Sequence, residues 1–191
     1  MKYLTFIILI CLLIISCDEE VTKVSDEIIY EYSTETNIPP SLKEIPIGLE
    51  VVNDPDTIYA TKNPKDTNQY IWKLKTTIMA PMSDVKIIEF GDYEKMKDNT
   101  WQLHNFTNKI FTEKEFSEWY FINNNGEFSW ENAEDGTIKK GIEYIDPSNW
   151  TKRSDTLCHQ KGIWYFIGTD SNGKKVLGYA EYENIGELSK Q

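Results

Sequence analysis

Residues Gly162 to Gly168, GIWYFIG, are apolar at every position, so a strand built from them has no face to turn to water. Such a strand belongs at the centre of a two-layer fold, covered on both sides. Asp170-Ser171-Asn172-Gly173 follows, a set of turn formers, and Lys174 to Tyr182 returns as the second arm of a hairpin. Upstream, Gln69 to Ala80 puts Tyr70, Trp72, Leu74, Thr76 and Ile78 on one face, with Lys73, Lys75 and Thr77 on the other. That alternation marks a half-buried strand. Pro81 to Asp84 reads as a turn, Asp84 to Phe90 as the next strand, and Thr100 to Phe106 as a third, with Trp101 and Leu103 on one side.

One helix is predicted, over Thr112 to Tyr120. Thr112 and Glu115 have the spacing of a capping box, and Phe116, Trp119 and Tyr120 fall at i, i+3 and i+4, an aromatic stripe to lay on a sheet. Asn123-Asn124-Asn125-Gly126 then turns the chain. Seven or so short strands at roughly ten-residue spacing describe a mainly β fold. The expectation is an antiparallel β-sandwich or barrel-like domain with one short helix, preceded by an extended tether.

The boundaries follow from changes in composition. Residues 1–16 are a leader, 17–46 an acidic, polar tether ending in Pro39-Pro40 and Pro46, 47–184 the β-rich domain, and 185–191 a polar tail. Within the tether, Ile28-Ile29-Tyr30 could dock as a short edge strand, and Lys62 to Asn68, with Pro64, reads as a surface loop.

The leader has a basic start at Lys2 and an almost unbroken apolar run from Leu4 to Ile15. About 12 apolar residues suit the core of an export signal, whereas a spanning helix needs roughly 20. Ile14-Ile15-Ser16-Cys17 resembles the lipobox read by the lipoprotein signal peptidase. The resemblance implies cleavage before Cys17, a diacylglycerol thioether on its sulfur and an acyl chain on its new amino group. Several chains on one residue anchor stably where one chain binds only marginally. Asp18-Glu19-Glu20 resembles the acidic signal that sends lipoproteins of Bacteroidota to the outer face of the outer membrane. The domain is itself similar to uncharacterised lipoproteins of Flavobacteria. That likeness lies in the run from Trp72 through Glu89-Phe90-Gly91 and Glu115-Phe116-Ser117-Glu118-Trp119-Tyr120 to Trp164-Tyr165-Phe166-Ile167-Gly168. It implies a class and a location, outer membrane and cell surface, without a mechanism.

Charge excludes some functions. The chain has 20 basic and 31 acidic residues, and loss of Lys2 with the leader takes the formal charge from −11 to −12. Such a balance repels phosphate backbones and anionic lipid headgroups, so no nucleic-acid partner is expected. Of the three cysteines, Cys11 leaves with the leader and Cys17 carries lipid, so Cys158 has no intramolecular partner and no cysteine-based zinc site can form.

Catalytic signatures are weak. Asp155, Cys158, His159 and His104 are the residues from which a nucleophilic site could be assembled, with His104 as the base, because Cys158 and His159 point to opposite faces of a strand. Asp170 to Gly173 shares its opening with a calcium loop but lacks the later ligands. The expectation is therefore no enzyme, no metal and no cofactor. Aromatic residues are in excess, with 6 Trp, 11 Tyr and 8 Phe. Trp130 and Trp150 sit among Asn, Asp and Glu, where they either line a ligand groove or plug the ends of the sandwich. Asp56-Thr57-Ile58 and Asp155-Thr156-Leu157 match a short O-glycosylation pattern of Bacteroidota envelope proteins, which implies glycans on Thr57 and Thr156 and requires both to be exposed.

Two functions are carried forward: a non-enzymatic accessory subunit of an outer-membrane complex, and a surface carbohydrate-binding module. A hydrolase is the weaker third. The anchor is testable directly: Cys17→Ser is expected to abolish metabolic palmitate incorporation and to leave residues 1–16 attached, read by mass spectrometry of the purified protein.

Overall fold

The computed structural model describes residues 38–64, 68–104, 109–124 and 126–190. The leader, Cys17, the acidic triplet Asp18 to Glu20 and Ile28 to Tyr30 lie outside the described residues. Among those described, the fold is mainly β, with fourteen strands and one α-helix in two sheets. No helix among the described residues is long and apolar enough to cross a membrane.

The larger sheet is built around the apolar run. Its order is β10 (Thr137–Ile138), β5 (Val85–Lys95), β13 (Gln160–Asp170), β14 (Lys175–Leu188), β2 (Thr57–Lys62), β3 (Tyr70–Lys73) and β12 (Trp150–Ser154). Two short strands, β6 (Trp101–Leu103) and β7 (Phe111–Thr112), pair with β5 on the edge that β10 only partly fills. The predicted hairpin is β13–β14, antiparallel from Gln160↔Asn184 to Thr169↔Lys175. Its turn is closed by Asp170 Oδ1, which accepts from the N–H groups of Asn172 and Lys174, both at 2.9 Å. Gly173 there has φ +79°, a conformation that suits glycine. A hairpin turn, not a calcium loop, accounts for these residues. The second sheet runs β1 (Glu50–Asp54), β4 (Lys75–Met79), β11 (Glu143–Asp146), β8 (Phe121–Asn124) and β9 (Glu127–Asn132).

Gln69 to Ala80, expected as one strand, is two. β3 belongs to the larger sheet and β4 to the smaller, and Leu74 is the corner, where its N–H donates to the Asn149 carbonyl at 3.0 Å. The inward alternation runs unbroken around that corner: Trp72, Leu74, Thr76, Ile78 and Ala80 are all buried. A chain that switches sheets at a bend is a standard way to curl two layers around one core. Where β1 passes over β14, a Cβ on Gly178 would lie 2.5 Å from Leu49 Cβ, so only glycine fits.

The sheets enclose an aromatic core with Phe90 at its hub. Its ring lies 5.2 Å from Phe111, stacks on Phe166 at 5.5 Å, and meets Phe116, Trp119 and Tyr120 edge-on. The last three come from α1 (Glu113–Trp119) and its C-cap Tyr120. The capping box is present: the Thr112 N–H donates to Glu115 Oε2 at 3.0 Å, and Lys109 pairs with the same carboxylate.

β13 has a second core on its other face. Ile163, Tyr165 and Ile167 pack there with Leu177, and with Ile38 and Leu42. Residues 38–46, expected to be tether, are thus a strap lying on the outer face of the sheet. Pro39 and Leu42 carbonyls accept from Leu42 and Ile45, folding the strap into turns, and Pro46 O accepts from Leu177 N–H at 2.8 Å. At the other end, the expected polar tail is sheet as far as Leu188. β14 runs on in parallel register with β2, Glu183↔Thr57 to Leu188↔Ala60, and Asn184 is fully buried. Backbone pairing, rather than an apolar face, carries those residues.

Phe90→Ala would open a cavity at the point where three elements meet. It is expected to lower the unfolding free energy by about 3–5 kcal/mol, measured by urea denaturation.

Candidate functional site

A cleft of about 440 Å³ opens where the helix, β9 and the β11–β12 loop converge. Four tryptophans line it, and they come from four places: Trp119 from α1, Trp130 from β9, Trp150 from the start of β12, and Trp164 from β13. Trp130 is 81 % exposed and touches Phe121 edge-on at 5.7 Å. An indole that open is not a core plug. Trp150 is half-buried, with the Arg153 guanidinium 4.7 Å from its ring centre. The two aromatic residues singled out in polar sequence therefore share one cleft. Trp119 and Trp164 were absorbed by apolar patterns, and no local signal separated them from ordinary core residues.

The loop that carries Trp150 is locked by buried polar groups. Ser148 N–H donates to Asp146 Oδ1 at 2.9 Å, and Trp150 N–H to Asn149 Oδ1 at 2.8 Å. Asn149 Nδ2 donates to Thr76 Oγ1 at 2.7 Å, Thr76 to Asn53 Oδ1 at 2.9 Å, and Asn53 Nδ2 to the carbonyls of Ala180 and Glu181. Thr151 donates to Asn184 Oδ1 at 2.6 Å. This chain of bonds crosses the core from the cleft rim to β14 and fixes the loop without apolar contacts.

Beneath the cleft lies a cluster of buried charge. Asp92 and Glu94 stand two apart on β5 and so share a face. His104 Nδ1 lies 2.8 Å from Glu94 Oε1 and 3.1 Å from Asp92 Oδ2. Tyr182 donates to Asp92 Oδ2 at 3.1 Å, and Lys152 Nζ pairs with Glu94 Oε1 at 2.9 Å. Burial alone would lower the imidazole, but the two carboxylates outweigh it and push His104 up to about 9. Burial would also raise Glu94, yet His104 and Lys152 hold it down to about 2. For Asp92 burial wins and the carboxyl is pushed up. Asp92 and His104 form part of the cleft wall.

The nucleophile candidates have other employment. The carboxylates that push His104 up to about 9 favour its imidazolium over the free base that a thiol nucleophile needs. Burial pushes the half-buried Cys158 thiol up, away from the thiolate that attacks. His159 Nε2 faces Glu183 Oε1 at 2.9 Å, and Asp155 is exposed. Among the described residues, no group of three His, Cys, Asp or Glu side chains is arranged to hold a metal ion. Thr57 and Thr156 are both exposed.

One polar group in the cleft wall has no partner among the described residues, and one carboxylate is desolvated. Trp164 Nε1 is buried with no acceptor among the described residues. Asp146 accepts the Ser148 N–H, and burial pushes its carboxyl up to about 6 with no cation among the described residues to oppose the shift. Compared with protein-family models, curated proteins and solved structures, the chain matches none.

The charge cluster makes stability depend on pH in a definite direction. His104 is raised from 6.5 to about 9, so its contribution is whole below pH 6.5 and is lost as pH rises through 9. Glu94 is held at about 2 against 4.5, so its contribution is present above pH 4.5 and lost as pH falls through 2. Urea titrations are expected to show stability falling from pH 6.5 to 9 by at most about 1.4 kcal/mol per pH unit. His104→Gln should erase that alkaline slope and cost about 3–5 kcal/mol at pH 6, because it strands buried carboxylates.

Proposed function

We propose that this chain is a lipid-anchored binding protein whose aromatic cleft takes a carbohydrate, and that it binds without turning its ligand over. The observation that carries the reading is the convergence of four tryptophans on one cleft, with Trp130 left 81 % exposed. An indole exposed to that extent leaves apolar surface in water, and the flat apolar face of a sugar ring is a suitable cover for it. The polar lining narrows the choice further. Asp146, which accepts the Ser148 N–H, presents a carboxylate in the cleft wall, and a ligand that can donate to it, as hydroxyl groups do, suits the site. A purely hydrocarbon ligand would cover that carboxylate without pairing it, at a cost.

The layout suits a tethered receptor. On β13, Trp164 belongs to the cleft side, whereas Ile163 and Tyr165 lie under the strap, which begins at Ile38. The strap therefore lies on the face of β13 opposite the cleft, which suits an anchor on the N-terminal side of Ile38. In this reading the protein sits at the outer membrane, on its outer side, and hands glycans to a larger complex there. The accessory-subunit reading then becomes a statement about partners, with glycan capture as the task.

The test is a glycan array followed by calorimetric titration of the full chain in a detergent without a sugar headgroup. Selective binding of an oligosaccharide is expected, with quenching of intrinsic fluorescence. Trp130→Ala and Trp150→Ala should each weaken it by at least about tenfold. Absence of binding across the array, or binding indifferent to both substitutions, would overturn the reading.

A further inference from the structure

Three carboxylates line the cleft, Asp92, Glu118 and Asp146, and they are not in the same electrostatic position. Asp92 has the His104 imidazole and the Tyr182 hydroxyl each at 3.1 Å, so the protein itself supplies its partners. Asp146 is different. Its surroundings desolvate it, its hydrogen bond comes from the neutral Ser148 N–H, and no cation among the described residues offsets its charge. The Arg153 guanidinium, on the adjoining strand, lies over the Trp150 ring. A carboxylate held in such a place is short of a positive partner. The tryptophans beside it favour the same kind of guest, since indole faces attract cations. The net charge of −11 adds a long-range field of the same sign.

We infer that the cleft selects amino sugars: a protonated ring amine docks at Asp146 while the pyranose face stacks on Trp130. The inference rests on the carbohydrate reading above and names the sugar class. An ammonium brings three N–H donors and a full charge to a desolvated acceptor, which makes the bond charge-assisted. N-acetylation removes that charge while keeping the ring. A uronic acid sets a second carboxylate against Asp146 and Glu118 and is repelled.

The experiment titrates the full chain at about pH 6.5, on the ionised side of Asp146. The probes are oligomers of glucosamine, matched oligomers of N-acetylglucosamine, and oligogalacturonides. Glucosamine oligomers should bind at least about tenfold more tightly than their acetylated counterparts, with no measurable binding of the oligogalacturonides. D146N, which keeps an acceptor for Ser148, should compress the preference to under about threefold. Trp130→Ala should abolish binding of the preferred oligomer. Equal or tighter binding of the acetylated oligomers overturns the amino-sugar inference and leaves the carbohydrate reading standing. So does an undiminished preference in D146N. Glucosamine binding that survives Trp130→Ala is general attraction of a polycation to an acidic surface, and it overturns the inference as well. No binding by any of the three probes overturns it too, and the glycan array then shows separately whether the cleft takes sugars at all.

Discussion

Phe90 holds together the parts that make the cleft. Its ring contacts residues from the β7 end, from the helix and from β13, and through Trp119 and Trp164 it reaches two of the four cleft tryptophans. Aromatic rings at 5–6 Å in edge-on and stacked arrangements have preferred relative orientations, so they fix angles as well as distances. A helix of seven residues has little stability of its own. Here it is set by a capping box at one end and by Phe116 and Tyr120 against Phe90 along its length. The wall of the cleft is thus the outer surface of the core, and its geometry is inherited from core packing.

Much of this was legible in sequence because period and composition agreed. The all-apolar GIWYFIG run could only be a strand covered twice, and the two cores on either side of β13 are what that composition requires. The helix was marked by Thr112, Glu115 and an i, i+3, i+4 stripe. Other features had no local signal. The inward alternation from Trp72 to Ala80 is the same whether the strand stays in one sheet or turns a corner into another, because side-chain period does not record which partner the backbone pairs with. The strap was hidden by its prolines and polar neighbours, since Ile38 and Leu42 make no periodic pattern. The last turns of β14 were hidden for the opposite reason, as polar residues there are held by the β2 ladder.

The site was legible in half. Trp130 and Trp150 stood out because bulky apolar rings in acidic, Asn-rich segments are expensive to leave in water. Trp119 and Trp164 sat in apolar patterns and looked like any core residue. The buried charges do have a cue in the sequence: Asp92 and Glu94 follow Phe90 on the inward-facing register of a strand, where carboxylates require partners. Asp146-Pro147-Ser148-Asn149 reads as a turn, but nothing local says that the turn is anchored through Thr76 and Asn53 to a strand far away in sequence. Buried charge of this kind adds little net stability, and its value lies in orientation: His104, Lys152 and Tyr182 each accept one arrangement around the two carboxylates.

The strap has a mechanical consequence. A pull applied at Ile38 falls first on Ile38 and Leu42, which pack on the outside of β13 and β14. Load applied there peels a few apolar contacts from one surface; it does not shear the β5–β13–β14 ladder or tug on the Trp150 loop. The strap therefore works as strain relief, like the collar where a cable enters its plug. A domain dragged or jostled by its N-terminal end could lose that collar and regain it while the opposite side of the sheet kept its shape.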